Sequence, residues 1–311
     1  MESTRVEQVR TFSCYLTAGE YASTEDGRIF FLTTESNNPM IVGKYDPAKS
    51  QRVLIPEQPK QFAGKILWFT SGGEIKIFSQ ESVLILCSSE ASYQQKIQHY
   101  RYFSPFFPVP ALQQQNAEKF QLLEERIDFR RITIEDESLI LKAIYQDYTV
   151  YFQQQRKKAA EHRFEELLIQ HNEKLDPLIR EIQPELLATK FPFLMLHGDL
   201  WTENILLERD SEKLWYIDWD TAGKYFFCHD FFKFMWNELD VHGNPHYYQD
   251  YLAGKYDEAF TQLFDLFQLN FQPQHRKDYF YLSFLSFMLE GQEYSWKWNE
   301  LADFLEKVVH G

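Results

Sequence analysis

The sequence predicts an α+β protein with a β-rich first part and a mostly helical second part. Between residues 10 and 87, short apolar runs alternate with Asp-Gly, Asp-Pro and Gly-Gly turns, a pattern typical of strands joined by hairpins. From Asp136 onward, the apolar residues recur at the spacing of amphipathic helices. The chain has 311 residues, 44% of them hydrophobic, which is enough for two separate cores.

The first part contains six apolar runs short enough to be strands. They cover residues 29–32, 40–42, 53–55, 66–69, 75–78 and 83–87. A helix is predicted over 89–103, with Ser88 as its N-cap, and two more strands follow at 111–115 and 120–127. We therefore assign a lobe of strands and one main helix to residues 61–130, and a β-rich extension to residues 1–60.

The second part, residues 131–311, is predicted to be a helical lobe. Long amphipathic stretches predict helices over 137–155 and 159–182, and further helices extend toward the C-terminus. After the second of these stretches, apolar runs at 204–207 and 214–217 flank a polar turn, which predicts a β-hairpin.

Charge and composition exclude several classes of function. The net charge of −14 is opposite in sign to the basic surface that a nucleic-acid partner requires. No apolar run reaches the roughly 18 residues that span a bilayer, and the first residues lack the basic-then-apolar order of a signal peptide. Cys14, Cys87 and Cys228 are too widely spaced for a metal site or a disulfide framework. We therefore expect a cytoplasmic protein.

The polar residues that suggest chemistry lie around the predicted hairpin. Asp199 precedes its first strand, Asn204 begins that strand and Asp218 follows the second, so the hairpin should bring Asp218 back beside Asn204. Burying these side chains among Leu, Ile and Trp is costly unless they are paired or bind a cation. One carboxylate can receive a proton, while an amide and a second carboxylate can hold Mg²⁺. Phosphoryl transfer from ATP to a hydroxyl requires these parts.

The order of these residues resembles a known family. His-Gly-Asp-Leu-Trp-x-x-Asn-Ile-Leu at 197–206, followed by Ile-Asp-Trp-Asp at 217–220, is similar to the aminoglycoside phosphotransferase and choline kinase superfamily, which has a protein-kinase-like fold of two lobes. The resemblance implies ATP as co-substrate and Mg²⁺ as cofactor. It implies Asp199 as the catalytic carboxylate and Asn204 and Asp218 as metal ligands. It also implies that His197 and Asp230 hold the loops in shape.

The predicted N-terminal lobe departs from this family. Kinase-like enzymes place a lysine on the strand before the first helix to hold the phosphates, and residues 83–87 contain none. Lys76, on the preceding strand, is a possible substitute. Gly72 and Gly73 either cover the phosphates or form a plain hairpin turn. Glu125 lies in a segment that resembles the connection whose backbone holds the adenine.

The acceptor residues are expected on the C-terminal helices. Acidic and aromatic side chains there suit an amine or a quaternary ammonium group, through ion pairing and cation–π contact. The candidates are Asp240, Glu290, Glu293, Tyr294, Trp296 and Trp298. Core packing is the alternative for the tryptophans, and a solvated face is the alternative for the glutamates. The identity of the acceptor stays open.

We expect an ATP- and Mg²⁺-dependent phosphotransferase that acts on a hydroxyl of a small molecule, of amino alcohol, aminoglycoside or sugar type. The missing strand lysine supports an alternative, a catalytically silent kinase-like protein that works by binding a partner. A metallohydrolase is a third interpretation, because His, Asp and Asn also bind metals, but no further histidine cluster accompanies the motif.

Overall fold

The computed structural model describes residues 4–290 and 296–309. The chain divides into two compact units. The first comprises Met1–Ile132 and Leu206–Ile217, and the second comprises Thr133–Ile205 and Asp218–Gly311. Among the described residues, no helix is both long enough and apolar enough to cross a membrane. The predicted α+β fold is confirmed, because the first unit is built on a large sheet and the second is mainly helical.

An eight-stranded antiparallel sheet forms the frame of the first unit. Its strands are β1 (Gly19–Ser23), β2 (Ile29–Leu32), β3 (Arg52–Ile55), β4 (Ile66–Phe69), β5 (Ile75–Phe78), β6 (Ser82–Leu86), β7 (Leu112–Asn116) and β8 (Gln121–Glu125). Their order across the sheet is β3-β1-β2-β4-β5-β6-β8-β7. The strands of residues 1–60 therefore continue the sheet formed by the residues that follow, while the division at residue 60 stays a prediction.

Two helices of the first unit are α1 (Arg5–Thr11) and α2 (Glu90–Phe103). The N-cap of α2 is Ser89, whose Oγ accepts a hydrogen bond from Ser92 N over 3.1 Å. The predicted N-cap, Ser88, is therefore wrong by one residue. The chain takes the extended conformation that an N-cap requires at Ser89, where φ is −159° and ψ is 166°.

The two faces of the sheet bury different sets of apolar residues, because successive side chains on a strand point to opposite faces. On β5, Ile77 belongs to a core that includes Leu67 and Leu84. The next residue, Phe78, packs against the core that contains Ile85 of β6 and Tyr93 of α2. The face of β5 that carries Phe78 is therefore the face covered by α2.

The predicted strand at 40–42 is wrong. These residues form turns, in which Ile41 N and Val42 N donate to Asn38 O over 2.8 and 3.0 Å. The Arg131 guanidinium also donates to the carbonyl of Val42, so the polar groups that a strand would use for pairing are already occupied. Conversely, β1 contains no apolar run that would indicate a strand.

The predicted hairpin is confirmed. It consists of β12 (Ile205–Glu208) and β13 (Leu214–Tyr216), and Glu208 N donates to Lys213 O over 2.9 Å to close it. A short strand, β9 (Phe129–Arg130), pairs with the other edge of β12. The hairpin from Leu206 onward belongs to the first unit, whereas its first residue, Ile205, and the residues from Asp218 onward belong to the second.

A three-stranded antiparallel sheet of the second unit carries the candidate catalytic loop. Its strands are β10 (Ala160–Arg163), β11 (Lys190–Leu196) and β14 (Gly223–Phe226), with β11 in the centre. The predicted helix over 159–182 is therefore wrong at its start, where Ala160 pairs with Phe193. Between β10 and β11, the α-helices are short: α4 (Phe164–Leu167), α5 (Asp176–Arg180) and α6 (Pro184–Leu187).

Longer helices make up the rest of the second unit. They are α3 (Glu137–Gln155), which has the predicted bounds, α7 (His229–Asp240), α8 (His246–Leu252), α9 (Asp257–Leu266), α10 (Arg276–Leu289) and α11 (Trp296–Phe304), which continues as a π-helical turn over Leu305–Val309. Aromatic contacts join α7, α10 and α11, as where the Phe284 and Phe304 rings stack with centroids 3.9 Å apart. The helix α7 is buried from its first residue through Glu238, so its side chains are held in fixed positions.

Candidate active site

The candidate catalytic loop begins where β11 ends. β11 pairs with β14, and Leu196 lies opposite Gly223. The residues from Leu196 to Leu200 are buried except for Asp199, whose side chain is 36% exposed. The loop therefore presents one carboxylate from an otherwise buried segment.

Asp230, near the start of α7, ties this loop to the helix. Its two carboxylate oxygens accept hydrogen bonds from the backbone N–H groups of His197 and Gly198, both over 2.8 Å. The Tyr148 hydroxyl donates a third, over 2.6 Å. Burial raises the pKa of the Asp230 carboxyl, while the His197 side chain and these hydrogen bonds act in the opposite direction. This geometry fits the supporting role predicted for Asp230.

His197 supports the loop from within. Its Nδ1 accepts a hydrogen bond from Asp199 N over 3.3 Å, and its ring lies against Trp219, with centroids 4.5 Å apart. Its carbonyl accepts a hydrogen bond from Thr221 Oγ1 over 3.2 Å. The predicted supporting role of His197 is consistent with these contacts.

Gly198 is required by the close approach of two backbone segments. Its φ is +82°, a conformation that side chains rarely allow, and a Cβ atom there would lie 2.3 Å from Thr221 O. Without the glycine, the backbone could not turn between His197 and Asp199 while staying against Thr221.

Two side-chain amides hold the Asp199 carboxylate. Asn237 Nδ2 donates to Oδ1 over 2.8 Å, and Asn204 Nδ2 donates to Oδ2 over 3.1 Å. Asn204 Nδ2 also donates to the Asp199 carbonyl over 2.7 Å. Each carboxylate oxygen thus has a fixed donor, so the group is oriented while it stays partly exposed.

Beside Asp230, the helix α7 supplies two site residues that the sequence pattern did not single out, Lys233 and Asn237. Asp230, Lys233 and Asn237 are spaced three and four residues apart, so they line one face of the helix. Lys233 is 5% exposed, its Nζ lies 3.9 Å from Asp199 Oδ1, and it contacts the Glu300 carboxylate. The available signal was one lysine in the apolar stretch Phe-Phe-Lys-Phe-Met-Trp at 231–236.

Asp218 and Asn204 offer oxygen ligands suited to Mg²⁺. Asp218 has a left-handed backbone, with φ 63° and ψ 57°, which is uncommon outside glycine and often marks functional sites. Asn204 contacts Asp199 only through Nδ2, which leaves Oδ1 as its ligand atom. Carboxylate and amide oxygens are hard ligands of the kind that Mg²⁺ prefers, so this donor set fits the ion.

A family comparison gives this arrangement its context. The model of the phosphotransferase enzyme family matches residues 127–264, a range that contains the loop, the hairpin and α7. This match covers the part of the chain that carries the predicted motif and its description agrees with the resemblance seen in the sequence. The match agrees with the predicted kinase-like fold, whose α+β architecture the structure confirms. No curated protein sequence matches the chain.

Solved structures of low sequence identity resemble this chain. An aminoglycoside phosphotransferase from Streptomyces rimosus, in complex with ADP and streptomycin, is 13% identical with a TM-score of 0.44, and the match covers 71% of this chain and 92% of that one. A choline kinase from Streptococcus pneumoniae is 12% identical, with a TM-score of 0.44 and coverage of 76% and 90%. A choline/ethanolamine kinase family protein from Mesorhizobium loti is 12% identical, with a TM-score of 0.43 and coverage of 90% and 87%.

The nucleotide-binding candidates lie in the first unit. Gly72 and Gly73 form a tight turn between β4 and β5, in which Gly73 N donates to Thr70 O over 3.3 Å. Lys76 Nζ lies 5.4 Å from the centroid of the Trp68 ring. Glu125 accepts a hydrogen bond from Ala111 N over 3.4 Å. Nucleotide binding by these residues stays a prediction.

The acceptor candidates that the structure describes have partners within the protein. Asp240 Oδ1 lies 2.6 Å from Lys307 Nζ, and Glu290 Oε2 lies 3.7 Å from Lys297 Nζ. Trp296 is 42% exposed, and its ring lies 5.8 Å from that of Phe287. Two other candidates, Glu293 and Tyr294, lie outside the described residues. A cationic acceptor would therefore have to compete with lysines for these carboxylates.

Proposed function

We propose that this chain transfers the γ-phosphate of ATP to a hydroxyl of a small molecule. Asp199 is the proposed catalytic residue, which orients the acceptor hydroxyl and accepts its proton. Asn204 and Asp218 are the proposed Mg²⁺ ligands, and the bound ion would neutralise charge on the phosphates. The match of residues 127–264 to the phosphotransferase enzyme family supports this proposal.

The observation that carries the proposal is the environment of Asp199. A general base must be fixed in orientation and still reach its substrate. The amides of Asn204 and Asn237 each donate to one oxygen of the carboxylate, over 3.1 and 2.8 Å. Neutral amides orient the group without giving it a proton, and the 36% exposure of the side chain leaves it accessible to a hydroxyl.

For the first unit, we propose that the turn at Gly72 and Gly73 binds phosphate and that Lys76 and Glu125 belong to the nucleotide site. The open outer side of the turn supports this role. Within 4 Å, a Cβ atom on Gly72 would meet only Thr70 Oγ1, at 4.0 Å, so a ligand could approach the backbone of Gly72 closely. The N–H of Gly73 already donates to Thr70 O.

For the acceptor, we propose an amino alcohol, an aminoglycoside or a sugar, with Asp240, Glu290 and Trp296 as candidate contacts. Because Asp240 and Glu290 are already paired with lysines, neutral hydroxyl compounds should be tested beside cationic ones.

The test measures Mg²⁺-dependent release of ADP from ATP with a panel of these acceptors. Asp199→Asn keeps the size of the side chain and should lower turnover by roughly 10²- to 10⁴-fold. Asp210→Asn, in the exposed hairpin turn, is the matched control and should keep normal turnover. Near-normal turnover in Asp199→Asn would show that Asp199 is not the base.

One observation favours a second candidate function, a silent kinase-like protein that binds a partner. The strand β6 (Ser82–Leu86), which precedes α2, carries no lysine. A thermal-shift titration with Mg-ATP separates the two functions, because a ligand of the native state raises the melting temperature. The absence of any shift at millimolar Mg-ATP would favour the silent protein.

A further inference from the structure

A buried ion pair joins the glycine turn of the first unit to α2. Glu74 follows Gly73 directly and is 4% exposed. Its Oε2 lies 3.0 Å from Lys96 Nζ, whose side chain is 12% exposed. Its Oε1 accepts a hydrogen bond from Ser92 Oγ over 2.7 Å. Both partners of Glu74 stand on the first two turns of α2.

Stability alone does not explain this pair. Removing two charges from water is costly, and well-packed apolar side chains of similar size are often at least as stabilising. A salt bridge so far removed from solvent is therefore weak evidence for a role in folding. A role in binding accounts for it better, because a ligand gains most from a cation that is fixed in place beforehand.

The pair lies beside the turn that we propose for phosphate binding. A Cβ atom on Gly73 would lie 3.8 Å from Ser88 Cβ, so the turn is close to the start of α2. Strand alternation places Glu74 and Lys76 on the face of β5 that carries Phe78, which is the face covered by α2. The glycine turn, Glu74 and Lys96 thus form one continuous cluster.

Nucleotide phosphates carry several negative charges, and kinase-like sites offset them with a lysine that a glutamate positions. In this chain, the strand β6 provides no lysine, but α2 does. We propose that Lys96 is the cation that contacts the nucleotide phosphates and that Glu74 is its positioning residue. The helix then carries the lysine and the end of the glycine turn carries the carboxylate. This inference rests on the proposed function.

The experiment compares two variants that differ only at Lys96. Lys96→Met alone would leave Glu74 buried without its counter-charge and endanger folding. We therefore compare Glu74→Gln with the double variant Glu74→Gln/Lys96→Met. Isothermal titration measures the affinity of each for Mg-ATP and for adenosine, which has no phosphates. Lys76→Met, on the neighbouring strand, is measured in the same way.

We expect the double variant to bind Mg-ATP roughly ten- to a hundredfold more weakly than Glu74→Gln, which is the value of one charge-assisted contact. Its affinity for adenosine should be unchanged, because Lys96 acts on the phosphates alone.

Equal losses of affinity for Mg-ATP and for adenosine would mean that Lys96 only supports the fold and would overturn the proposal. Equal Mg-ATP affinity in the two variants would overturn it as well, and a loss confined to Lys76→Met would assign the contact to Lys76. If the wild-type chain binds no Mg-ATP, the proposed function fails together with this inference.

Discussion

Asn237 Nδ2 donates a hydrogen bond to Asp199 Oδ1 over 2.8 Å, although 38 residues separate the two in sequence. The bond joins α7 to the candidate catalytic loop and orients the proposed base. Because Asp230 and Lys233 of the same helix also contact this loop, α7 acts as the support of the site.

Asn237→Ala should therefore lower kcat. Without this donor, the Asp199 carboxylate keeps only its hydrogen bond from Asn204 and can change its orientation. A small misplacement of a reacting group costs up to about 100-fold in rate. We expect kcat to fall by about ten- to a hundredfold, with the KM for ATP nearly unchanged. Asn299→Ala, at an exposed position of α11, is the control. Normal kcat in Asn237→Ala would show that Asn204 alone orients the base.

Gly198→Ala should destabilise the second unit strongly. The new Cβ would meet Thr221 O at 2.3 Å, and φ is +82°. Gly243→Ala separates the effect of the clash from that of the positive φ. Gly243 has φ +63°, but a Cβ there would meet nothing within 4 Å. We expect a loss in the free energy of unfolding of about 1 kcal/mol for Gly243→Ala and of more than about 3 kcal/mol for Gly198→Ala. Urea denaturation measures both, and equal losses would contradict the proposed clash.

Glu300→Ala, which removes the partner of a buried lysine, should be far more destabilising than removing the partner of an exposed lysine. It leaves the buried Lys233 without its nearest counter-charge, which costs about 3–5 kcal/mol. Asp240→Asn removes a partner of Lys307, whose side chain is 42% exposed, and should cost less than about 1 kcal/mol. In a double-mutant cycle with Lys233→Met, the double variant should be more stable than the sum of the two single changes implies. Simple additivity would mean that the pair is not coupled.

The stability of the protein should depend on pH through His229. Its ring stacks against Tyr225, with centroids 4.4 Å apart, and its Nδ1 lies 3.1 Å from Ser283 Oγ. Burial, with the charge of Lys233, lowers the pKa of His229 to about 3. In the unfolded chain this histidine titrates near pH 6.5. Between about pH 6.5 and 3, the unfolded state therefore binds a proton that the folded state does not.

The contribution of His229 to the free energy of unfolding thus falls as pH falls through this range, by up to about 1.4 kcal/mol per unit. His229→Gln should reduce the loss of stability measured by urea denaturation between pH 7 and pH 5. His171 is a control of opposite sign, because its hydrogen bond to Asp176 raises the pKa of His171. The stability that this hydrogen bond contributes is present in acid and lost as pH rises. His171→Gln should therefore enlarge the loss of stability measured between pH 7 and pH 5. An unchanged slope in His229→Gln would contradict the assignment.

Local sequence pattern was sufficient wherever an element needed no information from distant residues. The apolar runs at 66–69 and 75–78 are β4 and β5 with the predicted bounds, and the helix predicted over 137–155 is α3. In each of these segments, the apolar residues keep the spacing of a single type of structure, strand or helix, throughout. The hairpin β12–β13 was likewise predictable, because a polar turn between two apolar runs closes locally.

Pattern failed where pairing with a distant strand overrode local preference. Residues 160–163 lie in a stretch with helical spacing, yet they form β10, because they pair with β11 about thirty positions later in the chain. The residues at 40–42 are apolar, yet the side chain of Arg131 occupies a carbonyl that a strand would need. In both cases the deciding partner lies far away in sequence, so the local spacing of apolar residues cannot predict the contact.

At the candidate site, the positions of Asp199, Asn204 and Asp218 follow from a sequence motif of fixed spacing. Their functions remain proposals. The side chains that surround them could not be predicted in this way, because those contacts join elements that are distant in sequence. Lys233 meets Glu300 across 67 residues, and Asn237 meets Asp199 across 38. Spacing within a loop is set by the chain, whereas contacts of this kind depend on how a helix packs against that loop.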